Sequence, residues 1–154
     1  MFHLSRSARY WRNAVGVALL SNAALFASVF GAQALDAKFD CAQPPHEFIT
    51  ELVNAHAIAP TPMHVEANSV NAFRSICGSD LSAFGFPVYA VLGYELHDQM
   101  FRKGGRQAIS GPVYGAVLSG PRETIETRVR EAGSKATVRT VVPFLLTAVV
   151  CRPP

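Results

Sequence analysis

The sequence predicts an α+β domain, with a mainly antiparallel sheet of about four strands and two helices on one face. Two segments repeat apolar residues at steps of three and four, which is typical of amphipathic helices. Four others alternate apolar and polar residues or are apolar throughout, which is typical of strands. Their order along the chain is helix, strand, strand, strand, helix, strand, as expected for an α+β domain.

The first predicted helix runs from Pro45 to Ala57. Its apolar stripe consists of Phe48, Ile49, Leu52, Val53 and Ala57. Proline is favoured at the first turn of a helix, and Pro60 and Pro62 follow its end. Met63 to Ala67 then alternates as a half-buried strand does, whereas Ser69 to Ile76 fits either a strand or a helical turn.

The clearest strand pattern extends from Phe84 to Tyr94, where every second residue is apolar. Pro87 favours a sheet edge or a bulge near its start. Gly104-Gly105 has the composition of a hairpin turn to a strand from Pro112 to Gly120. That turn would place Val91 opposite Leu118 and Leu92 opposite Val117; the alternative is a short helix from Glu95 to Phe101.

The second predicted helix lies between Ser119-Gly120-Pro121 and Gly133. Ile125, Val129 and Ala132 form its apolar stripe, and its other side carries charged residues four apart. Ala136 to Cys151 is then predicted as one long strand with a bulge or sheet edge at Pro143.

Residues 1–34 have the layout of a cleaved secretory signal peptide. Arg6, Arg9 and Arg12 precede an apolar stretch from Ala14 to Phe30, and Ala32-Gln33-Ala34 is a small-x-small cleavage site. An uncleaved membrane anchor over Ala14 to Ala34 is the alternative, because this stretch is long enough to cross a bilayer. Cleavage would leave a single domain, residues 35–154, exported to the periplasm or the medium.

The charge of the predicted mature chain excludes binding to nucleic acid by bulk charge. Three of the fourteen basic residues and none of the eleven acidic ones lie in the signal, so eleven of each remain. Nucleic-acid binding needs a concentrated positive surface, and the cluster Arg102, Lys103 and Arg106 is interpreted as a solvated turn. No later apolar run is long enough to give a stable membrane anchor.

Cys41, Cys77 and Cys151 would all remain after cleavage, in a compartment where disulfides persist. We favour a bridge from Cys41 to Cys151, which ties both ends of the domain to its core, over one from Cys41 to Cys77. The remaining thiol would be either buried or bonded to another molecule. No two cysteines have the spacing of a redox pair or a metal site.

Three predicted strands are apolar on both faces, although two helices of about twelve residues can cover only one face. The second face would be covered by the loop Ser69 to Ala83, by a second copy, or by a partner or apolar ligand. For contact with a partner or second copy we predict four aromatic anchors: Tyr89, Tyr94, Tyr114 and Phe144. If the loop covers that face, these four residues belong to the core.

No catalytic motif, cofactor motif or metal-ligand spacing is present in the sequence. The best catalytic candidate is His97 with Asp98 or Cys77, because such partners meet in space rather than in sequence. The sequence therefore predicts an exported, non-catalytic binding or assembly module that uses an apolar sheet face, with a self-associating dimer as the favoured form. A small secreted hydrolase using His97 with a nearby carboxylate or thiol is the alternative.

Overall fold

A computed structural model describes residues 32–154 of the chain, so all but the last three residues of the predicted signal peptide lie outside the described part. The described part contains two α-helices, eight strands and one short 3-10 helix, which follows the first strand. Their bounds are β1 Gln33–Ala34, the 3-10 helix Asp36–Asp40, α1 Pro45–Asn54, β2 His64–Val65, β3 Asn71–Arg74, β4 Leu81–Ala83, β5 Phe86–Tyr94, β6 Val113–Ser119, α2 Arg122–Glu131, β7 Thr137–Val142 and β8 Leu146–Cys151.

The sheet is mixed and has eight strands, so the prediction of about four antiparallel strands was wrong. The main order is β1-β4-β5-β6-β8-β7, and β3 pairs with the second half of β5 while β2 pairs with β3. The pair β1–β4 is parallel. The strands that the prediction missed or merged are mostly two to four residues long, which is too short for a period-two pattern to stand out.

Strand β5 contains a bulge that changes which side chains face the core. Val88 pairs with Leu118, whereas Ala90 pairs with Val117, and Tyr89 between them has no partner. Such an extra residue inverts the alternation of the strand. Val88 therefore joins the main core and Ala90 a separate cluster, although the sequence placed both on one face.

The predicted register of β5 and β6 was wrong by two residues: Val91 pairs with Ala116 and Leu92 with Gly115. Gly104-Gly105 does not form a hairpin turn, and no short helix spans 95–101. The long connection is instead held by β3 and the turn before it, since the Asn71 side chain bonds both backbone groups of Arg102. Its three basic side chains are exposed, as expected for a solvated segment.

The long strand predicted over Ala136 to Cys151 is two strands, β7 and β8. They are joined by a three-residue turn in which the Leu145 N–H donates to the Val142 carbonyl at 3.1 Å. Pro143 is followed by Phe144 with a φ of 63°, the order of residues that a type II turn uses. Because Phe144 and Leu145 are apolar, this turn had no polar sequence signal.

Both helices pack their apolar stripes on one side of the sheet. α1 is shorter than predicted, and α2 lies within its predicted limits. α1 ends at Asn54 rather than Ala57, since His56 has a φ of 54° and leaves the helical conformation. α2 ends at Glu131, with Gly133 in the left-handed conformation just beyond. Phe48 of α1 and Ile125 of α2 are fully buried in one continuous core.

The structure joins Cys41 to Cys151 by a disulfide. Cys41 follows the 3-10 helix, and Cys151 ends β8, where it lies opposite Tyr114 of β6. The bridge thus attaches the first described segment, which contributes Leu35 and Phe39 to the core, to the centre of the sheet.

Adjacent glycines in the connection 95–112 provide a matched test of its packing. A Cβ at Gly104 would lie 2.2 Å from the backbone oxygen of Glu66, whereas a Cβ at Gly105 would meet nothing within 4 Å. We expect Gly104→Ala to lower the free energy of unfolding by roughly 1 to 3 kcal/mol, because backbone must move, and Gly105→Ala to change it by less than about 0.5 kcal/mol. Urea denaturation measures both, and equal effects would contradict the packing of this loop on the β2–β3 turn.

Candidate binding face

One side of the sheet is covered by both helices. The rings of Phe48 and Tyr114 are 4.6 Å apart, and a Cβ at Gly93 would lie 2.9 Å from the Ile49 side chain, so α1 packs on this side. Ile125 and Val129 of α2 belong to the same cluster as Leu118 and Val149. Since directly paired strand residues face the same side, these contacts define the covered face.

The opposite side of the sheet consists of three cross-strand rows, and we call it the open face. Its four buried residues form a separate cluster that, in the described part of the chain, contains strand residues only. The loop Ser69 to Ala83, which the sequence offered as a cover, supplies β3 and β4 to the sheet instead. The rows are Ala72, Leu92, Gly115, Val150 and Thr137; Arg74, Ala90, Val117, Ala148 and Arg139; and Ser119, Leu146 and Val142.

The centre of the open face is made of small apolar side chains, which was not predicted. Ala90 is 2% exposed because larger neighbours, among them Leu92 and Val150, stand around the alanines. Small residues let another backbone approach closely. The sequence contained a signal for this surface: Ala90, Gly115 and Ala148 interrupt runs of larger apolar residues in three strands.

Charged side chains occupy only the margins of the open face, and both are basic. Arg74 lies at the end of the middle row in β3, and Arg139 lies at the other end in β7. None of the thirteen positions in the three rows carries an acidic side chain. Beyond the first row, His64 of β2 pairs with Ala72 and faces the same side, and Glu66 lies 3.4 Å from it. The face therefore matches a partner with an apolar centre and acidic groups around it.

The four predicted aromatic anchors fall into two groups. Tyr114 is fully buried on the covered face, where its hydroxyl donates to the Lys38 carbonyl at 2.7 Å, and Tyr94 is buried beside Phe101. Tyr89 is 57% exposed at the bulge of β5, and Phe144 is 82% exposed in the β7–β8 turn. Only Tyr89 and Phe144 are placed where they can contact another molecule.

The β7–β8 turn carries an exposed apolar surface, which we call the hairpin tip. Its members are Val141, Val142, Phe144 and Leu145. A bulky residue in the left-handed conformation is strained, and glycine or asparagine would relieve that strain. A strained, exposed aromatic residue is a feature that folding alone does not require.

The structure keeps His97 and Asp98 at one cleft, but the Asp98 carboxylate contacts a different histidine. Asp98 accepts a hydrogen bond from the Met100 N–H with one oxygen, and its other oxygen lies 2.6 Å from Nδ1 of His46. His46, not His97, is therefore the histidine that Asp98 orients. Asp98 and His97 line one cleft of about 240 Å³, but that cleft contains no serine, threonine or cysteine.

Cys77 is free and exposed, and it lines a different cleft from His97. It lines a cleft of about 710 Å³ together with His56, Ser79 and Asp80. The Ser79 hydroxyl lies within hydrogen-bonding distance of the Ala57 and Ile76 carbonyls, so it holds the loop rather than facing a substrate. The predicted combination of Cys77 with His97 is thus not formed.

Metal-ligand groups and membrane-spanning helices are two further features that bear on function in residues 32–154. This part of the chain contains no group of three or more His, Cys, Asp or Glu side chains that could hold a metal ion. Within the same residues, no helix has the length and apolar character needed to span a membrane.

Comparison with known proteins gives no match: no family model, no curated protein and no solved structure is significantly similar to this chain.

Proposed function

We propose that the protein is an exported, non-catalytic binding or assembly module whose working surface is the open face. The observation that supports this most is that both helices pack on one side of the sheet while the apolar rows of the other side carry no helix. Leu92, Leu146 and Val150 are only partly buried there, and accessible apolar side chains grouped on one face are typical of interaction sites.

Export is supported by two independent features. The signal-like pattern of residues 1–34 precedes the domain, and disulfides such as Cys41–Cys151 persist mainly in oxidising compartments. A binding role is supported by the basic margins of the open face, which add charge selectivity to an apolar centre.

The proposal predicts that the native protein binds an apolar anionic dye through the open face. The probe is anilinonaphthalene sulfonate, which fluoresces on exposed apolar surface. In the variant Ala90→Glu, the introduced carboxylate lies opposite Arg74, so we expect a folded protein whose dye fluorescence is reduced severalfold. Circular dichroism checks the fold of the variant, and fluorescence titration measures how much dye it binds.

The matched control is Ala116→Glu, in the neighbouring strand but on the covered face. Ala116 is fully buried, and a carboxylate there loses its hydration without a partner, so this variant should unfold. Two results would contradict the proposed function: a native wild-type protein that binds no dye, or an Ala90→Glu variant that unfolds as Ala116→Glu does.

A further inference from the structure

Strand β7 has an unpaired edge. It is the last strand in the sheet order and pairs only with β8 among the described residues. All of its residues except Val138 are exposed. Charges, prolines and bulges often protect such edges; β7 has one charge, Arg139, and one irregularity, at Val141, but no proline. One row of its backbone N–H and C=O groups is therefore available to another strand.

A cleft lies near the start of the same strand. It has a volume of about 470 Å³ and is bounded by the second half of α2 and by residues 133–138. Val129, Ala136 and Val138 give it an apolar part. The exposed hairpin tip is at the opposite end of β7, one strand length away.

We propose that β7 pairs antiparallel with β7 of a second copy, so that the hairpin tip of each copy packs at the cleft of the other. An antiparallel pair of identical strands has two-fold symmetry, and each contact is therefore made twice. This dimer rests on the proposed function, because it is the assembled form of that module, but it uses the edge of the sheet and the hairpin tip and leaves the centre of the open face free.

The register of this pairing follows from three constraints. Opposite residues must face the same side of the sheet, so a residue pairs with its own equivalent or with one an even number of positions away. Pairing Arg139 with Arg139 would place like charges side by side. Pairing Thr140 with Thr140 would bring the irregular position Val141 into the ladder. Pairing Val138 with Val138 avoids both and places Arg139 opposite Thr137.

In this register the hairpin tip reaches the cleft. β7 of one copy then ends beside the residues that precede β7 in the other copy, and among these Gly133, Ser134 and Ala136 line the cleft. The exposed apolar tip and the cleft are therefore complementary between copies, whereas neither has a partner within the described chain.

The symmetry of the dimer also determines where its two open faces lie. The two-fold axis of an antiparallel edge pair is perpendicular to the sheet, so both open faces lie on the same side of one continuous sheet. The area available for a partner is then doubled. The edge contact itself is small, roughly 1,200 Å² or less in total, so we expect a dissociation constant in the micromolar range.

Cysteine cross-linking tests the register. In a Cys77→Ser background, Val138→Cys should form a covalent dimer on mild oxidation, because two equivalent positions face each other. Thr140→Cys, on the same face of β7, is the control and should stay monomeric, since its equivalents would be about 13 Å apart along the strands. Cross-linking through Thr140→Cys but not Val138→Cys would overturn the proposed pairing.

Sedimentation velocity tests the hairpin tip without a new cysteine. Phe144→Asp should raise the dimer dissociation constant by roughly 30-fold, as expected for an aromatic residue at a contact centre. Leu96→Asp, also at an exposed apolar residue but outside the interface, should leave it unchanged. A wild-type protein that remains monomeric at millimolar concentration would overturn the dimer, yet dye binding sensitive to Ala90→Glu would still support the open face.

Discussion

Removal of the Cys41–Cys151 disulfide should lower the free energy of unfolding by about 4 kcal/mol. The two cysteines are 110 residues apart, and in the chain-entropy model a loop of this length restricts the unfolded chain strongly. Domains of this size have a total stability of roughly 5 to 15 kcal/mol, so the loss is a large fraction of it. Urea denaturation of the double variant Cys41→Ala/Cys151→Ala measures the difference.

The control for this experiment is Cys77→Ala. Cys77 is free and exposed, so its truncation should change stability by less than about 0.5 kcal/mol. If the double variant does not fold, the wild-type protein unfolded in urea with and without reductant gives the same comparison. A loss below about 1 kcal/mol in either form would show that the bridge does not restrain the unfolded chain as expected.

The elements that the sequence predicted well are those long enough to repeat their pattern. α2 contains three turns with an apolar stripe ending at Gly133, and β6 is apolar for most of its seven residues. β1 and β4 have two and three residues, and no period can be recognised in so few positions. The ends of these strands are set by pairing with strands that are distant in sequence, and a local pattern does not show this pairing.

The two largest errors arose from apolar residues in irregular positions. Tyr89 fills a bulge and Phe144 a turn, places where polar residues or glycine usually give a signal. The alternation through Tyr89 therefore seemed unbroken, and the stretch through Phe144 seemed to be a single strand. Both residues are exposed, so their role in contacts stays a prediction, whereas the conformation predicted for their backbone was wrong.

Predicting the candidate site residues depended even more than predicting the fold on contacts between residues that are distant in sequence. Asp98 lies beside His97 in sequence but is 52 positions from His46, whose ring it contacts, and only the folded chain shows which histidine it orients. Tyr114 was predicted at a surface because it lies in an apolar strand, yet β6 is central in the sheet and α1 covers this side of it. A pattern along one strand does not show which of its two faces a helix will cover.

Tyr114 should make the protein unstable at alkaline pH. Burial, with a smaller contribution from the nearby carboxylate of Asp40, raises the pKa of Tyr114 from 10.0 to about 12. Because the folded protein holds this proton more tightly than the unfolded chain does, the stabilisation is complete below pH 10 and is lost as pH rises through 12. The full loss is roughly 3 kcal/mol, with about half of it reached near pH 11.

Tyr114→Phe isolates this contribution from other groups that titrate above pH 10. At pH 7 the variant should be about 1 kcal/mol less stable than the wild type, because the Lys38 carbonyl loses its hydrogen bond. Between pH 10 and 12 the two stability curves should converge and then cross, since only the unfolded wild type is stabilised by ionising a phenol that the folded protein keeps protonated. Tyr89→Phe, at an exposed tyrosine, is the control, and its curve should run parallel to that of the wild type. Parallel curves for Tyr114→Phe as well would show that the Tyr114 phenol ionises in the folded protein as easily as it does in water.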